Sequence, residues 1–180
     1  MNREIDLSKT ICFDTETTGL GKYDEILQLA IINGIGDVLF NEFIKPKQQT
    51  SWWQAEKVHH ISPTMVANGK TIDSYFPILV KIFKEAEIYV GYNLPYDIRM
   101  LKQSGFPADC LCRKGCQQID IMKVFAPVFG EKNAKSNKYK WQSLTTCADY
   151  YHYDWGKDKA HGALADAKAT LLCFKKLYMN

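Results

Sequence analysis

Two apolar runs, residues 26–32 and 38–44, are separated only by Asn33-Gly34-Ile35-Gly36-Asp37, and so short and glycine-rich a link joins antiparallel neighbours in a sheet. Ahead of them, Ile11-Cys12-Phe13 leads into Asp14-Thr15-Glu16 before Thr17-Thr18-Gly19 breaks the run, which predicts a buried strand followed by a turn. The period then changes. Over 71–86 the residues Ile72, Tyr75, Phe76, Leu79, Ile82 and Phe83 recur at spacings of three and four, which predicts an amphipathic helix. A strand over 88–92 follows. Asn93 can cap a helix running through Ser104, with Pro95 in its first turn and Gly105 ending it. A short strand near Gln118-Ile119-Asp120-Ile121 completes a βαβ unit, and helices over about 143–151 and 162–178 close the chain. Three antiparallel strands joined to a parallel half give an α/β domain, a mixed sheet flanked by helices.

A chain of 180 residues with 46% hydrophobic residues buries one substantial core, so a single domain over 1–180 is expected. No apolar window reaches about 18 residues and the first residues lack the apolar stretch of a signal peptide. The expectation is therefore a soluble, cytoplasmic protein with no membrane partner. The six cysteines are scattered and imply no disulfides. A net charge of +3 neither announces nor opposes a nucleic-acid partner.

The acids are more informative. Residues two apart on a strand share a face, so Asp14 and Glu16 are forced together on the side of Cys12, and like charges that close each tend to hold a proton unless a cation neutralises both. A D-x-E triplet by itself is common. The final helix adds an independent anomaly: Lys168, Lys175 and Lys176 share one arc, while Asp166 falls between Cys173 and Leu177 on the apolar side. Asp97 repeats the pattern, with Leu94, Met100 and Leu101 three and four positions away. Such acids can instead accept hydrogen bonds from loops or pair with arginine. The arginines are only Arg3, Arg99 and Arg113, and Arg99, two positions from Asp97, points elsewhere on the helix. This shortage favours a cation. Oxygen ligands suit Mg²⁺ or Mn²⁺, and two such ions about 4 Å apart serve phosphodiester displacement. His161, just ahead of Gly162 at the mouth of the final helix, can take a proton near neutral pH.

Three segments, in this order, resemble the motifs of the DEDDh exonucleases, the family that includes the proofreading subunit of bacterial DNA polymerase III and ribonuclease T. They are Phe13-Asp14-Thr15-Glu16-Thr17-Thr18-Gly19, Val90-Gly91-Tyr92-Asn93 through Tyr96-Asp97, and His161-Gly162-Ala163-Leu164 through Asp166-Ala167. The similarity covers about residues 9–178. It implies a ribonuclease H-like fold, two Mg²⁺ or Mn²⁺ ions held by Asp14, Glu16, Asp97 and Asp166, and His161 as general base. It also implies 3′→5′ removal of nucleoside 5′-monophosphates from single-stranded DNA or RNA ends. A polymerase or a second copy of the chain would be a further partner. Val58-His59-His60-Ile61-Ser62 resembles the family's Val-His-Gly-Ile-Thr segment, so His59, with Thr17, Leu20 and Asn93, would meet the terminal nucleotide. Two positions depart from the family: His60 stands where glycine is usual, and Tyr92 where many members have histidine.

Other features carry two readings each. Trp52-Trp53 can stack on bases or pack at a helix start. Cys110, Cys112 and Cys116 resemble part of a zinc cluster, or simply lie in a connection. The polar stretch 130–140 reads as an exposed loop, and its lysines with Tyr139 and Trp141 can grip a single strand. Asp120, at a strand end, is expected to support rather than ligate. Against the exonuclease reading stand a non-catalytic nucleic-acid-binding module, which has no need of a base at position 161, and a hydrolase of other small phosphodiesters.

Overall fold

The computed structural model describes residues 5–156 and 160–179. A five-stranded sheet in the order β3-β2-β1-β4-β5 forms its centre, from β1 (Thr10–Thr17), β2 (Ile26–Asn33), β3 (Val38–Phe43), β4 (Ile88–Gly91) and β5 (Gln117–Asp120). β1 pairs antiparallel with β2, which pairs antiparallel with β3, while β4 lies parallel to both β1 and β5. This is the mixed sheet expected from the short glycine-rich link and the βαβ half. The strand carrying the acids runs through them, and a register shift falls between Glu16 and Thr17.

Alternation along β1 sorts the core into two layers. Ile11 and Phe13 face a cluster with Leu79, Phe83, Tyr89 and Met100, covered by α3 (Phe76–Glu85), α4 (Leu94–Gln103) and α5 (Ala108–Leu111). Cys12 faces the other layer with Phe125, Cys147 and Phe174, covered by α6 (Ile121–Phe129), α7 (Leu144–Tyr150) and α8 (Ala163–Tyr178). A smaller cluster of Leu27, Trp52, Ile61 and Val66 sits under α1 (Trp53–His59) and α2 (Pro63–Val66).

Several local readings are corrected. The segment before α3 is a 3-10 turn, Ile72–Tyr75, rather than the start of one long helix. β5 ends at Asp120, and Ile121 opens α6, an element the sequence hid behind its internal Pro127. Asn93 does not cap α4 with its side chain. Its backbone is left-handed, φ 61°, and its N–H donates to Asp120 Oδ1 at 2.9 Å. Asp120 also pairs with Lys123 Nζ at 3.3 Å, so it ties β5 to the start of α4. The six cysteines are free. Among the described residues, no helix is long and apolar enough to cross a membrane.

Candidate active site

Asp14 and Glu16 point from β1 into the layer of α8, the face marked by Cys12, whose thiol donates to the Ala167 carbonyl at 3.3 Å. α8 lies across β1 and β2, so its first turn brings Asp166 to the same place. Oxygens of Asp14, Glu16 and Asp166 all lie within 4.8 Å of one another. Among the described residues this is the one convergence of three or more metal-competent side chains, and Cys110, Cys112 and Cys116 are not gathered in the same way.

Asp97 arrives from the opposite layer. Gly91 ends β4 so close to α4 that an added Cβ would sit 2.9 Å from Leu94 Cδ1, and this packing starts the helix directly on the strand end. Asp97, 2% exposed, stands beside the trio rather than within it. Its Oδ1 accepts from the Thr15 N–H at 3.0 Å and Thr15 Oγ1 at 2.6 Å. Thr15 was overlooked in the sequence; its signal is its place between the two acids, pointing to the other face. Neither arginine among the described residues bonds these carboxylates. Arg99 donates to the Leu20 carbonyl at 3.1 Å, Arg113 bonds the carbonyls of Lys84 and Ala86, and Arg3 lies outside the described residues.

Without countercharge, burial raises the proton affinity of all four acids. Burial first, then the charges of Asp97, Asp166 and Glu16, raises Asp14 well above the usual carboxylate range. Glu16 is pushed up to about 8 by burial and by Asp166 and Asp97. Burial lifts Asp97 to about 7 against the Thr15 hydrogen bonds, and Asp166 to about 6 against the His161 N–H. Four acids so placed favour a cation that would let them ionise together.

His161 is exposed, with a left-handed backbone, φ 70°, and its N–H donates to Asp166 Oδ1 at 3.1 Å. Gly162 gives α8 no side-chain cap. The substitute comes from the sheet: Gln28, paired with Glu16 across β1 and β2, accepts from the Ala163 N–H at 3.2 Å and donates to Asn41 Oδ1 at 3.0 Å. Gln28 was also missed, since only the strand register reveals its position.

A cleft of about 610 Å³ opens beside Glu16, lined by Thr17, Leu20, Val58, His59 and Tyr96 among others. It gathers three of the four expected substrate contacts; Asn93 is not part of its lining. His59 is largely committed to structure. Nδ1 accepts from the Ile61 N–H at 3.0 Å, which leaves Nε2 to donate to the Thr17 carbonyl at 3.1 Å, and burial lowers the imidazole's proton affinity. Tyr96, a further residue missed, holds the cleft wall through Thr17 Oγ1 at 2.5 Å and the Gly19 carbonyl at 3.0 Å. The tryptophans divide: Trp52 is buried and donates to the Ile61 carbonyl at 2.7 Å, while Trp53 is exposed under Lys57. His60 closes α1 at φ 61°, a backbone that favours the glycine usual there.

Residues 11–174 match the family described as RNase_T, Exonuclease. The chain is 32% identical over 170 residues to the uncharacterized exonuclease CP81 of Escherichia phage 186, covering 89% of this chain and 84% of that protein. It is 26% identical over 178 residues to RNA exonuclease 4 of Saccharomyces cerevisiae, covering 97% of this chain but only 56% of that longer protein. In fold it is similar to exonuclease X, solved in complex with 5′ overhanging duplex DNA, with a TM-score of 0.68 at 22% identity over 93% of this chain and 90% of that one. A sheet, an acid cluster and a sequence match that coincide over almost the same residues lead to one assignment: the chain belongs to the RNase_T exonuclease family, enzymes that hydrolyse phosphodiester bonds.

Proposed function

We propose that the chain removes nucleotides singly from the 3′ end of single-stranded DNA or RNA, releasing nucleoside 5′-monophosphates. The observation that carries this reading is the convergence of Asp14, Glu16 and Asp166 within 4.8 Å, with His161 joined to Asp166 through its backbone. The buried, mutually repelling carboxylates fit hard divalent cations, so Asp14, Glu16, Asp97 and Asp166 would hold two Mg²⁺ or Mn²⁺ ions. When bound, such ions neutralise the carboxylates and stabilise charge on the attacking and leaving oxygens.

The protein's own groups supply the rest. The cleft of Thr17, Leu20, His59 and Tyr96 is large enough for a terminal nucleotide and sets its phosphodiester beside Glu16. His161, exposed at the mouth of α8, takes a proton from the attacking water. The water oxygen bonds to phosphorus as the bond to the 3′ oxygen of the preceding nucleotide breaks. The shortened strand keeps a 3′ hydroxyl, and the released nucleotide carries the phosphate on its 5′ oxygen.

End-labelled DNA and RNA strands incubated with Mg²⁺ or Mn²⁺ test this directly. Stepwise shortening from the 3′ end is expected, with 5′-monophosphates as product and a loss of more than about 10³-fold in Asp14→Ala. Absence of shortening with the unaltered chain, or shortening that survives Asp14→Ala, would refute the proposal. Attack on small phosphodiesters in preference to oligonucleotides would move it to another hydrolase class.

A further inference from the structure

Residues 131–140 form a small two-stranded finger rather than an unstructured loop. Lys132 and Tyr139 pair antiparallel, the Lys140 N–H donates to the Glu131 carbonyl at 2.8 Å, and the Asn133 N–H donates to the Lys138 carbonyl at 2.9 Å. The Glu131 carboxylate closes the base by accepting from Lys140 Nζ at 3.0 Å and Gln142 Nε2 at 2.8 Å. All residues from 130 to 141 are exposed. Lys132, Lys135, Lys138 and Lys140 face a single carboxylate there, and Tyr139 and Trp141 are 43% and 61% exposed.

Ammonium groups interleaved with open aromatic faces suit a chain that presents phosphates and bases alternately. The position of the finger agrees. Its base is held by Tyr92, whose hydroxyl donates to the carbonyls of Gln142 and Ser143 at 3.0 and 2.9 Å. Val90 pairs with Cys12, so Asp14 on β1 and Tyr92 just past the end of β4 each lie two residues beyond that pair. The cleft is lined by the end of β1, by α1 and by Tyr96 of α4, while the base of the finger is tied to Tyr92, the residue that follows β4.

We propose that the finger binds the single-stranded nucleic acid on the 5′ side of the scissile phosphodiester, with lysines against phosphates and Trp141 and Tyr139 against bases. This rests on the exonuclease reading of the acid site. It also explains a family departure, since tyrosine at position 92 provides the hydroxyl that anchors the finger.

The test measures binding by fluorescence anisotropy in an Asp14→Asn background, with labelled single strands of about 3 and about 15 nucleotides. Replacing Lys135 and Lys138 together by alanine is expected to weaken the long strand roughly 3- to 10-fold at low salt and to flatten the slope of log affinity against log salt by about 1.4. Trp141→Ala is expected to weaken it about 5-fold or more, and Trp141→Phe to restore most of the loss. Both losses should be confined to the long strand. Unchanged long-strand affinity and salt slope in both variants would overturn the proposal, as would equal losses on short and long strands. Because binding is read without turnover, a long-strand loss in a chain that shortens no strand would uphold the finger and refute the exonuclease reading.

Discussion

Asp97 and Asp166 approach the same site from opposite layers of the fold, and the two helices hold them differently. Asp97 is buried, bonded twice by Thr15, and its helix starts directly on a strand end packed against Gly91. Asp166 is partly open, bonds only the backbone N–H of exposed His161 in its own approach loop, and depends on Gln28 to cap its helix from the sheet. One half of the site is set by the core and the other by a helix mouth facing solvent. A proton acceptor must exchange its proton with water, so the open half would suit the general-base role proposed for His161, while the closed half suits a carboxylate that only has to stay in place.

Experiments can break this contrast. The largest expected effect is on the open half: His161→Ala should lower kcat by about 10²- to 10⁴-fold while leaving half-saturation by Mg²⁺ little changed. A large shift in metal requirement with kcat intact would assign the imidazole to metal binding instead. The closed half should show itself in stability. Asp97→Ala leaves the buried Thr15 N–H without its acceptor, so thermal or urea unfolding should place it about 1–3 kcal/mol below Asp97→Asn, which keeps Oδ1. The same comparison at Asp166 should give under about 0.5 kcal/mol, because water can reach the His161 N–H. Equal differences at the two positions would erase the distinction.

Gln28 is the hinge of the contrast, a sheet residue serving the open half. Gln28→Leu should reduce kcat about 10-fold and raise the Mg²⁺ concentration needed for half-maximal rate, and Gln28→Glu, which retains the acceptor for the Ala163 N–H, should recover much of both. If Gln28→Leu only lowers the melting temperature, the residue is merely structural. The last test is of pH in metal-free protein. Glu16, Asp97 and Asp166, at about 8, 7 and 6, hold protons in the folded chain that the unfolded chain has released. Stability must therefore fall as pH rises from about 4 to about 8. With chelator present, Tm is expected to be lower at pH 8 than at pH 5 by more than about 10 °C, and Mg²⁺ should flatten the profile. A Tm that rises over this range without metal would contradict the buried-acid electrostatics.

Much of the closed half was legible in the sequence. The inward aim of Asp97 follows from Leu94, Met100 and Leu101 at helical spacing, and the shared face of Asp14 and Glu16 from strand alternation. The hairpin and the βαβ order followed from link length and periodicity. Contacts set by register were illegible: Gln28 matters because β2 pairs with β1 in one alignment, and a slip by one residue would turn its side chain to the other face. Asn93 misled because the residue type that caps helices also tolerates φ above zero, and here the backbone took the second option. α6 and α1 were obscured by their brevity, by Pro127 in the first, and by the ambiguous tryptophan pair at the start of the second.

The central place of β1 has a consequence for how the protein breathes. With β2 and β4 on its two edges and helices on both faces, the amides of β1 are expected in the last cooperative unit to open, whereas the first turn of α8 adjoins exposed His161 and takes its cap from the sheet through the one Gln28 side chain. Native-state hydrogen exchange would therefore report Asp14 and Glu16 on a slow-exchanging strand and Ala163 on a fast-exchanging helix end. On that pattern Asp166 and His161 would detach briefly as a unit while Asp14 and Glu16 stay fixed, and the proposed reaction would gain an exit for its product without unfolding of the core.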